Sequence, residues 1–180
     1  MLKLGHIIVP QPADRQPEIE TMLDKVFGLS RQTKTSYRLR EGETPVDGLS
    51  FIMTSQQGEL LGAISFWPLF IGEAGTQALL LGPLAVDPAH RAQGIGRELM
   101  QHGLAEAARK GHRLVILVGD EPYYARVGFQ KVPDDRMLMP GPVDMGRLLY
   151  LELADEALKE ANGLVMSPRR FSGPRGTTSG

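Results

Sequence analysis

Between an apolar run ending at Val86 and the most regular amphipathic stretch of the chain lies the segment His90-Arg91-Ala92-Gln93-Gly94-Ile95-Gly96-Arg97. The helix expected from Ile95 has no Ser, Thr, Asp or Asn at its cap position, so its first N–H groups need another partner. Gly94 and Gly96 allow a ligand to approach the backbone closely. Free amides at the positive end of a helix dipole suit a phosphate or pyrophosphate, and Arg91 and Arg97 add charge beside them. A glycine-rich turn capped by water is the competing reading of the same residues. Two familiar phosphate signatures fail here. The chain has no glycine, four-residue spacer and Gly-Lys-Ser/Thr string of the P-loop kind. The dinucleotide fingerprint needs a third glycine three residues after the second, where this chain has Leu99. The pattern that fits is Arg or Gln, two residues, Gly, one residue, then Gly or Ala, supplied by Arg91, Gly94 and Gly96.

Two further features flank this loop. Gly82-Pro83 interrupts the apolar run Gln77 to Val86, as expected of a bulge or a break in strand pairing. Downstream, Tyr123-Tyr124-Ala125-Arg126-Val127-Gly128-Phe129 puts three residues between Tyr124 and a Gly-Phe pair. A tyrosine packed on the core, with a satisfied hydroxyl, is the alternative to a chemical role for Tyr124.

The elements that must hold these residues are readable from periodicity. Ile95 to Lys110 predicts a helix with Ile95, Leu99, Leu104, Ala107 and Ala108 on its apolar face, ended by Gly111. Leu114 to Val118 is apolar throughout, as in a strand buried on both faces. An earlier helix is expected over Ile19, Met22, Leu23, Val26 and Phe27, capped by Asp14, with Pro17 in its first turn and Gly28 at its end. Arg31 to Glu41 reads as a short helix or an ordered loop. Strands are expected over Leu2 to Val9, Leu49 to Thr54, Leu60 to Leu69, Gln77 to Val86, Phe129 to Val132 and Arg147 to Leu153. A helical turn is expected over Pro122 to Val127, and a last short helix over Asp155 to Ala161. Strands outnumber helices and the order is mixed, so the class is α/β, with a mixed sheet carrying helices on its faces. Residues 1–165 form one expected domain, and the Pro-, Gly- and Arg-bearing stretch 166–180 an expected flexible tail.

Composition narrows the function. With 180 residues, 42% of them hydrophobic, the chain can bury one sizeable core. A net charge of -1 offers no basic excess for a nucleic-acid backbone. The absence of cysteine rules out disulfides, Cys-ligated metal and a thiol nucleophile, and the four histidines are scattered without metal-ligand spacing. No signal-peptide core or membrane span is visible. A soluble, cytoplasmic, metal-free protein with no nucleic-acid or membrane partner is expected.

From the loop onward the sequence resembles the GNAT superfamily of N-acetyltransferases, most strongly over residues 60 to 132. Three features occur in the superfamily's order: an interrupted strand at Gly82-Pro83, the Arg91–Gly96 loop, and Tyr124 before Gly128-Phe129. The resemblance implies a central, mostly antiparallel sheet with splayed core strands and helices on both faces. It implies that Leu84, Ala85 and Val86 contact the pantetheine arm of CoA, that Arg91, Ala92, Gln93, Gly94, Ile95 and Gly96 bind its pyrophosphate beside Arg97, and that Tyr124 protonates the leaving thiolate. The amide of Leu84 or Val86 is the implied oxyanion donor. The cosubstrate is then acetyl-CoA, and the reaction is direct attack of a small-molecule or peptide primary amine on the thioester. A non-catalytic acyl-CoA-binding module of the same fold is the alternative, and homodimers are common in the superfamily. A transferase acting on charged tRNA would need a basic surface that this composition does not supply. Many members carry an asparagine where this chain has Gly119-Asp120-Glu121. Asp120 and Glu121 are candidate bases that read first as a solvated turn or a helix-start charge; Glu73 and His90 are weaker candidates, and His90, adjoining the phosphate loop, reads first as a cap or a CoA contact. The acceptor pocket is expected from the first helix, the Arg31 to Glu41 region with Tyr37, Arg38 and Arg40, and the strand end Phe66-Trp67-Pro68.

Overall fold

A computed structural model describes residues 5–171. The main sheet runs in the spatial order β1 (Ile7–Pro10), β2 (Ser50–Thr54), β3 (Leu60–Ile71), β4 (Thr76–Val86), β5 (Leu114–Val118), β8 (Leu148–Glu152) and β6 (Gln130–Lys131). Every neighbouring pair on this path is antiparallel except β4 and β5. Two short strands, β7 (Met137–Leu138) and β9 (Gly163–Met166), pair in parallel, and β9 also joins the end of β3. The sequence pattern missed both, because two- and four-residue strands show too little alternation.

Among the described residues four α-helices accompany the sheet: α1 (Gln16–Phe27), α2 (Thr35–Arg38), α3 (Ile95–Arg109) and α4 (Glu121–Tyr124). Alternation along the strands divides the core between two faces. Phe51 and Met53 point toward α3, whose Leu99, Met100 and Leu104 pack over them with Ile64, Phe66, Val115 and Leu149. Ile52 points the other way, under Ile19, Met22 and Leu23 of α1. Short elements cover the far half of that second face. Met137, Val165 and Leu158, from β7, β9 and the 3-10 turn Ala157–Glu160, cover Leu69, Leu80 and Ile116 there. Residues Leu114 to Leu117 of β5 are all buried, alternating between the two faces. Helix α3 lies close to the sheet because Gly103 sits against Phe66, where a β-carbon would stand 2.7 Å from the ring.

Several expectations are corrected. Asp14 does not cap α1: it lies in the 3-10 turn Ala13–Arg15, and the cap position falls to Arg15, whose side chain makes no capping hydrogen bond. The expected helix over Asp155 to Ala161 is only the 3-10 turn Ala157–Glu160. The first strand begins at Ile7, and residues 2–4 of its expected range lie outside the described residues. The boundary drawn at 166 falls inside structure: Met166 ends β9, Ser167 is buried, and Phe171 stacks on Phe70 with ring centroids 4.4 Å apart. The rest of the expected tail, 172–180, lies outside the described residues.

The sheet opens where the sequence placed its interruption. Ile64 opposes Leu84 but Phe66 opposes Leu81. Two steps along β3 therefore match three along β4, a bulge at Gly82-Pro83. The parallel ladder of β4 and β5 pairs only Leu79 with Val115 and Leu80 with Ile116. Beyond the bulge the two strands part, leaving the outer half of β4 unpaired on that side.

Candidate active site

The Arg91–Gly96 loop builds an anion cleft. Gly94 adopts φ 80° and ψ 9°, a left-handed conformation that glycine takes without strain, and starts α3 with no side-chain cap. Ala92 is also left-handed, with φ 63°, so the loop turns its backbone twice before the helix begins. The first-turn amides of α3 therefore stand ready for an external acceptor. The resulting cleft of about 450 Å³ is lined by Val86, His90, Arg91, Ala92, Gly94, Ile95, Gly96, Arg97, Met100, Tyr123, Arg126 and Val127. Arginines supply all its permanent charge, and no carboxylate lines it. Gln93 belongs to the same loop without lining the cleft. His90, expected to touch this site, does line it, and its buried Nδ1 has no hydrogen-bond partner.

The gap beside β4 presents backbone donors. The Asp87 amide donates to the Leu61 carbonyl at 2.9 Å, which sets the phase of the antiparallel ladder. Ala85 and Ala63 are then a hydrogen-bonded pair, while Leu84 and Val86 turn their N–H and C=O groups away from β3, into the gap. Of the three residues expected to offer backbone contacts, Ala85 thus has its amide in the ladder. The bulge itself is pinned by a side-chain relay: Trp67 Nε1 donates to Ser65 Oγ at 3.0 Å, and Ser65 Oγ donates to the Gly82 carbonyl at 3.2 Å.

The two neighbouring tyrosines meet different surroundings. Tyr123, to which the sequence reading gave no role, lines the anion cleft, its hydroxyl against Gly96 where a β-carbon would overlap it. Tyr124 packs on the end of β5 at Gly119 and edge-on to Phe129, centroids 6.1 Å apart. Burial pushes the Tyr124 phenol up to about 12, with Tyr123 and Asp120 adding to the rise and Arg147 opposing it. Burial raises Tyr123 as well, against Arg126.

A second cavity, about 380 Å³, opens beside the same bulge and is lined by Glu20, Leu23, Arg31, Gln32, Tyr37, Arg40, Glu41, Trp67 and Pro83. Tyr37, Arg40 and Trp67 were expected there. Arg38 instead lines a different cleft with Pro140 and Arg170, and Phe66 is fully buried in the core. Sequence reasoning missed Glu20. It shares a face of α1 with Asp24, four residues on, and both bind Arg31, so the i,i+4 acidic pair was the available signal. Asp120 is exposed and pairs with Arg147 at 3.3 Å, and Glu121 lies exposed in the first turn of α4. Neither lines the second cavity. Among the described residues no group of three or more His, Asp or Glu could hold a metal ion, and no helix is long and apolar enough to cross a membrane.

The sequence profile of the Acetyltransferase (GNAT) family matches residues 17–129. The chain belongs to the GNAT acetyltransferase family. It is 30% identical over 159 residues to the uncharacterized N-acetyltransferase YhbS of Escherichia coli (strain K12), covering 87% of this chain and 92% of that protein. The crystal structure of Escherichia coli YhbS in complex with CoA matches this GNAT acetyltransferase with a TM-score of 0.79 at 28% identity, over 91% of this chain and 89% of that one. A GNAT family acetyltransferase from Brucella melitensis, solved in complex with acetyl-CoA, matches with a TM-score of 0.60 at 30% identity, over 81% of this chain and 96% of that one. The expected class, a mixed sheet with helices in the GNAT arrangement, is the observed one. The residues of this GNAT acetyltransferase also suit a CoA-type ligand on their own chemistry. An uncapped helix start, a carboxylate-free cleft, the orphaned His90 Nδ1 and the outward amides of Leu84 and Val86 all call for a long, polar, anionic molecule.

Proposed function

We propose that this chain transfers the acetyl group of acetyl-CoA to a primary amine. When bound, acetyl-CoA supplies the activated acetyl group: the C–S bond breaks, a C–N bond forms to the acceptor, the amine loses a proton and the thiolate gains one. The first-turn amides of α3, from Gly94 to Arg97, hold the pyrophosphate, with Arg91, Arg97 and Arg126 as counter-charges. Ala92 and Gln93 shape that loop, and Ile95 anchors its end in the core. The outward groups of Leu84 and Val86 pair with the pantetheine amides, and the one nearest the bulge stabilises the oxyanion.

Tyr124 donates its hydroxyl toward the leaving sulfur. At about 12 its pKa stands further above that of a model thiol, about 8.5, than an ordinary phenol does. It therefore acts at neutral pH as a hydrogen-bond donor that stabilises the thiolate and keeps its own proton. The acceptor must arrive as a neutral amine, and the carboxylates closest to hand are Glu20 and Glu41, which line the second cavity.

The observation that carries this reading is the placement of two cavities around the bulged half of β4: an anion cleft reaching Val86, and a mixed-charge pocket reaching Pro83. Calorimetry with acetyl-CoA followed by a thiol-release assay over amines tests it. Binding with amine-dependent thiol release supports the proposal. Binding without release by any amine would favour a non-catalytic acyl-CoA-binding module. Failure of folded protein to bind acetyl-CoA or CoA at millimolar concentration would overturn the proposal.

A further inference from the structure

Two arginines enter the second cavity, and their circumstances differ. Arg31 is 5% exposed and is bound by Glu20 and, at 3.0 Å, by Asp24. Arg40 is 9% exposed, yet its Nε and Nη1 are buried with no hydrogen-bond partner. No carboxylate or carbonyl among the described residues accepts from it. Its guanidinium stacks on the Tyr37 ring, 4.6 Å from the centroid, and the Tyr37 hydroxyl is itself buried without a hydrogen bond. Burial pushes Arg40 down to about 10, against an upward pull from the nearby phenol, so it remains a cation at neutral pH. An unpaired buried charge is costly to the folded state, and its retention calls for an anion that arrives from outside.

The position of Arg40 restricts that anion. Its Nη2 lies 2.8 Å from where a β-carbon on Gly82 would stand, so the guanidinium end reaches the bulge. The anion site and the place where the acceptor amine must meet the thioester are therefore both at the bulge. A molecule bound there has its amine and its anionic group within a few bonds of each other. Charge excludes a dianion: Arg31 is already matched by Glu20 and Asp24, and Glu41 also lines the cavity. The pocket thus offers one unmatched cation beside carboxylates, the complement of a zwitterion. An adjoining, mainly apolar cleft of about 180 Å³ shares Glu20, Leu23, Trp67 and Pro83 with it and runs on past Ile19 and Ile64.

We propose, resting on the transferase reading above, that the acceptor is a free α-amino acid with an apolar side chain. Arg40 holds its carboxylate, the amine faces the Gly82-Pro83 bulge, and the side chain follows Leu23 and Trp67 into the apolar cleft. Arg40 is a specificity residue here and makes no bond to the reacting carbon.

The test compares leucine, methionine and phenylalanine with their carboxamides, and with an α-blocked lysine, in the thiol-release assay at saturating acetyl-CoA. Acetyl-CoA calorimetry runs in parallel on wild type, Arg40→Met and Arg40→Lys. Wild type should favour at least one acid over its amide by about 10- to 100-fold in kcat/KM, the range for one charged hydrogen-bonded contact. Arg40→Met should erase that preference mainly through KM while binding acetyl-CoA as wild type does, and Arg40→Lys should retain part of it. Wild type that binds acetyl-CoA but prefers the amides or the blocked lysine, treats acid and amide alike, or acetylates none of the acids overturns the acceptor assignment and leaves the transferase reading standing. Undiminished preference in an Arg40→Met protein that binds acetyl-CoA overturns the role of Arg40. Loss of acetyl-CoA binding by wild type overturns the transferase reading itself.

Discussion

Substitutions at Gly94 separate backbone strain from charge. Its φ is 80°, and a β-carbon there would meet nothing within 4 Å. Alanine therefore fits, and its cost is the left-handed backbone alone, about 1 kcal/mol, which lowers Tm by roughly 2–4 °C in a chain of this size. Aspartate tolerates that backbone better than alanine, and its carboxylate would stand at the positive end of α3, a placement worth about 0.3–1 kcal/mol. Gly94→Asp should accordingly melt no lower than Gly94→Ala. Cofactor affinity should diverge where stability does not. A carboxylate about 5 Å from a pyrophosphate dianion costs about 2–3 kcal/mol at an effective dielectric between 40 and 80, roughly 30- to 150-fold in Kd. Thermal melts and CoA calorimetry on the two variants read both quantities. If Gly94→Asp bound CoA within about threefold of Gly94→Ala, the loop would not be the pyrophosphate site. If both variants melted more than about 5 °C below wild type, the open space around Gly94 would be wrong.

Three other perturbations follow from the packing around the site. Burial raises Tyr124 to about 12 from an ordinary 10, so native and unfolded chains both keep the proton below about pH 10, and stability falls as pH rises through the window from about 10 to 12. Urea titrations near pH 9 and pH 11.5 should show wild type losing about 2 kcal/mol more than Tyr124→Phe, and equal losses would contradict the upward shift of this phenol. Under the proposed role the same variant should lower kcat by roughly 100-fold with little change in KM for acetyl-CoA, and an unchanged kcat would remove Tyr124 from the chemistry. Ser65→Ala strands Trp67 Nε1 and the Gly82 carbonyl, with an expected loss of about 1–3 kcal/mol by thermal melt, and a neutral result would show that the relay does not pin the bulge. Gly103→Ala pushes a methyl toward the buried Phe66 ring at 2.7 Å. Overpacking of about 1–3 kcal/mol against a helix-propensity gain of about 1 should leave it destabilised, and a gain in Tm would refute the close approach of α3 to β3.

The parts of this fold that announce themselves in the sequence have long periods or special backbone. The repeat from Ile95 and the unbroken run Leu114 to Val118 delimit α3 and β5 within a residue, because fifteen residues of one period or five of continuous apolarity admit few other readings. Gly82-Pro83 marks the bulge because that pair interrupts any ladder. Short, sparsely apolar elements stayed hidden: β7 and β9 owe their existence to pairing with each other and with β3. At the site, the phosphate loop was legible from its glycines and missing cap. The place of Tyr123 in the anion cleft was not, since one residue of phase in a four-residue helix decides which ring turns to Gly96 and which to Gly119. Nor was the contrast between Arg31 and Arg40. Both are arginines in one polar stretch, and only the packing of α1 gives acidic partners to the first and leaves the second without any.

The central claim is that these residues move an acetyl group from CoA to an amine, and the most direct measurement is product formation. Purified protein, acetyl-CoA and an equimolar pool of amino acids and their amides should yield an N-acetylated product by mass spectrometry, with free thiol released in equal amount and both formed at least about 10-fold more slowly by Gly94→Asp at a cosubstrate concentration well below the variant's Kd. Binding of acetyl-CoA without any N-acetylated product would contradict catalysis on this class of acceptor, and product formed equally by Gly94→Asp would contradict the site.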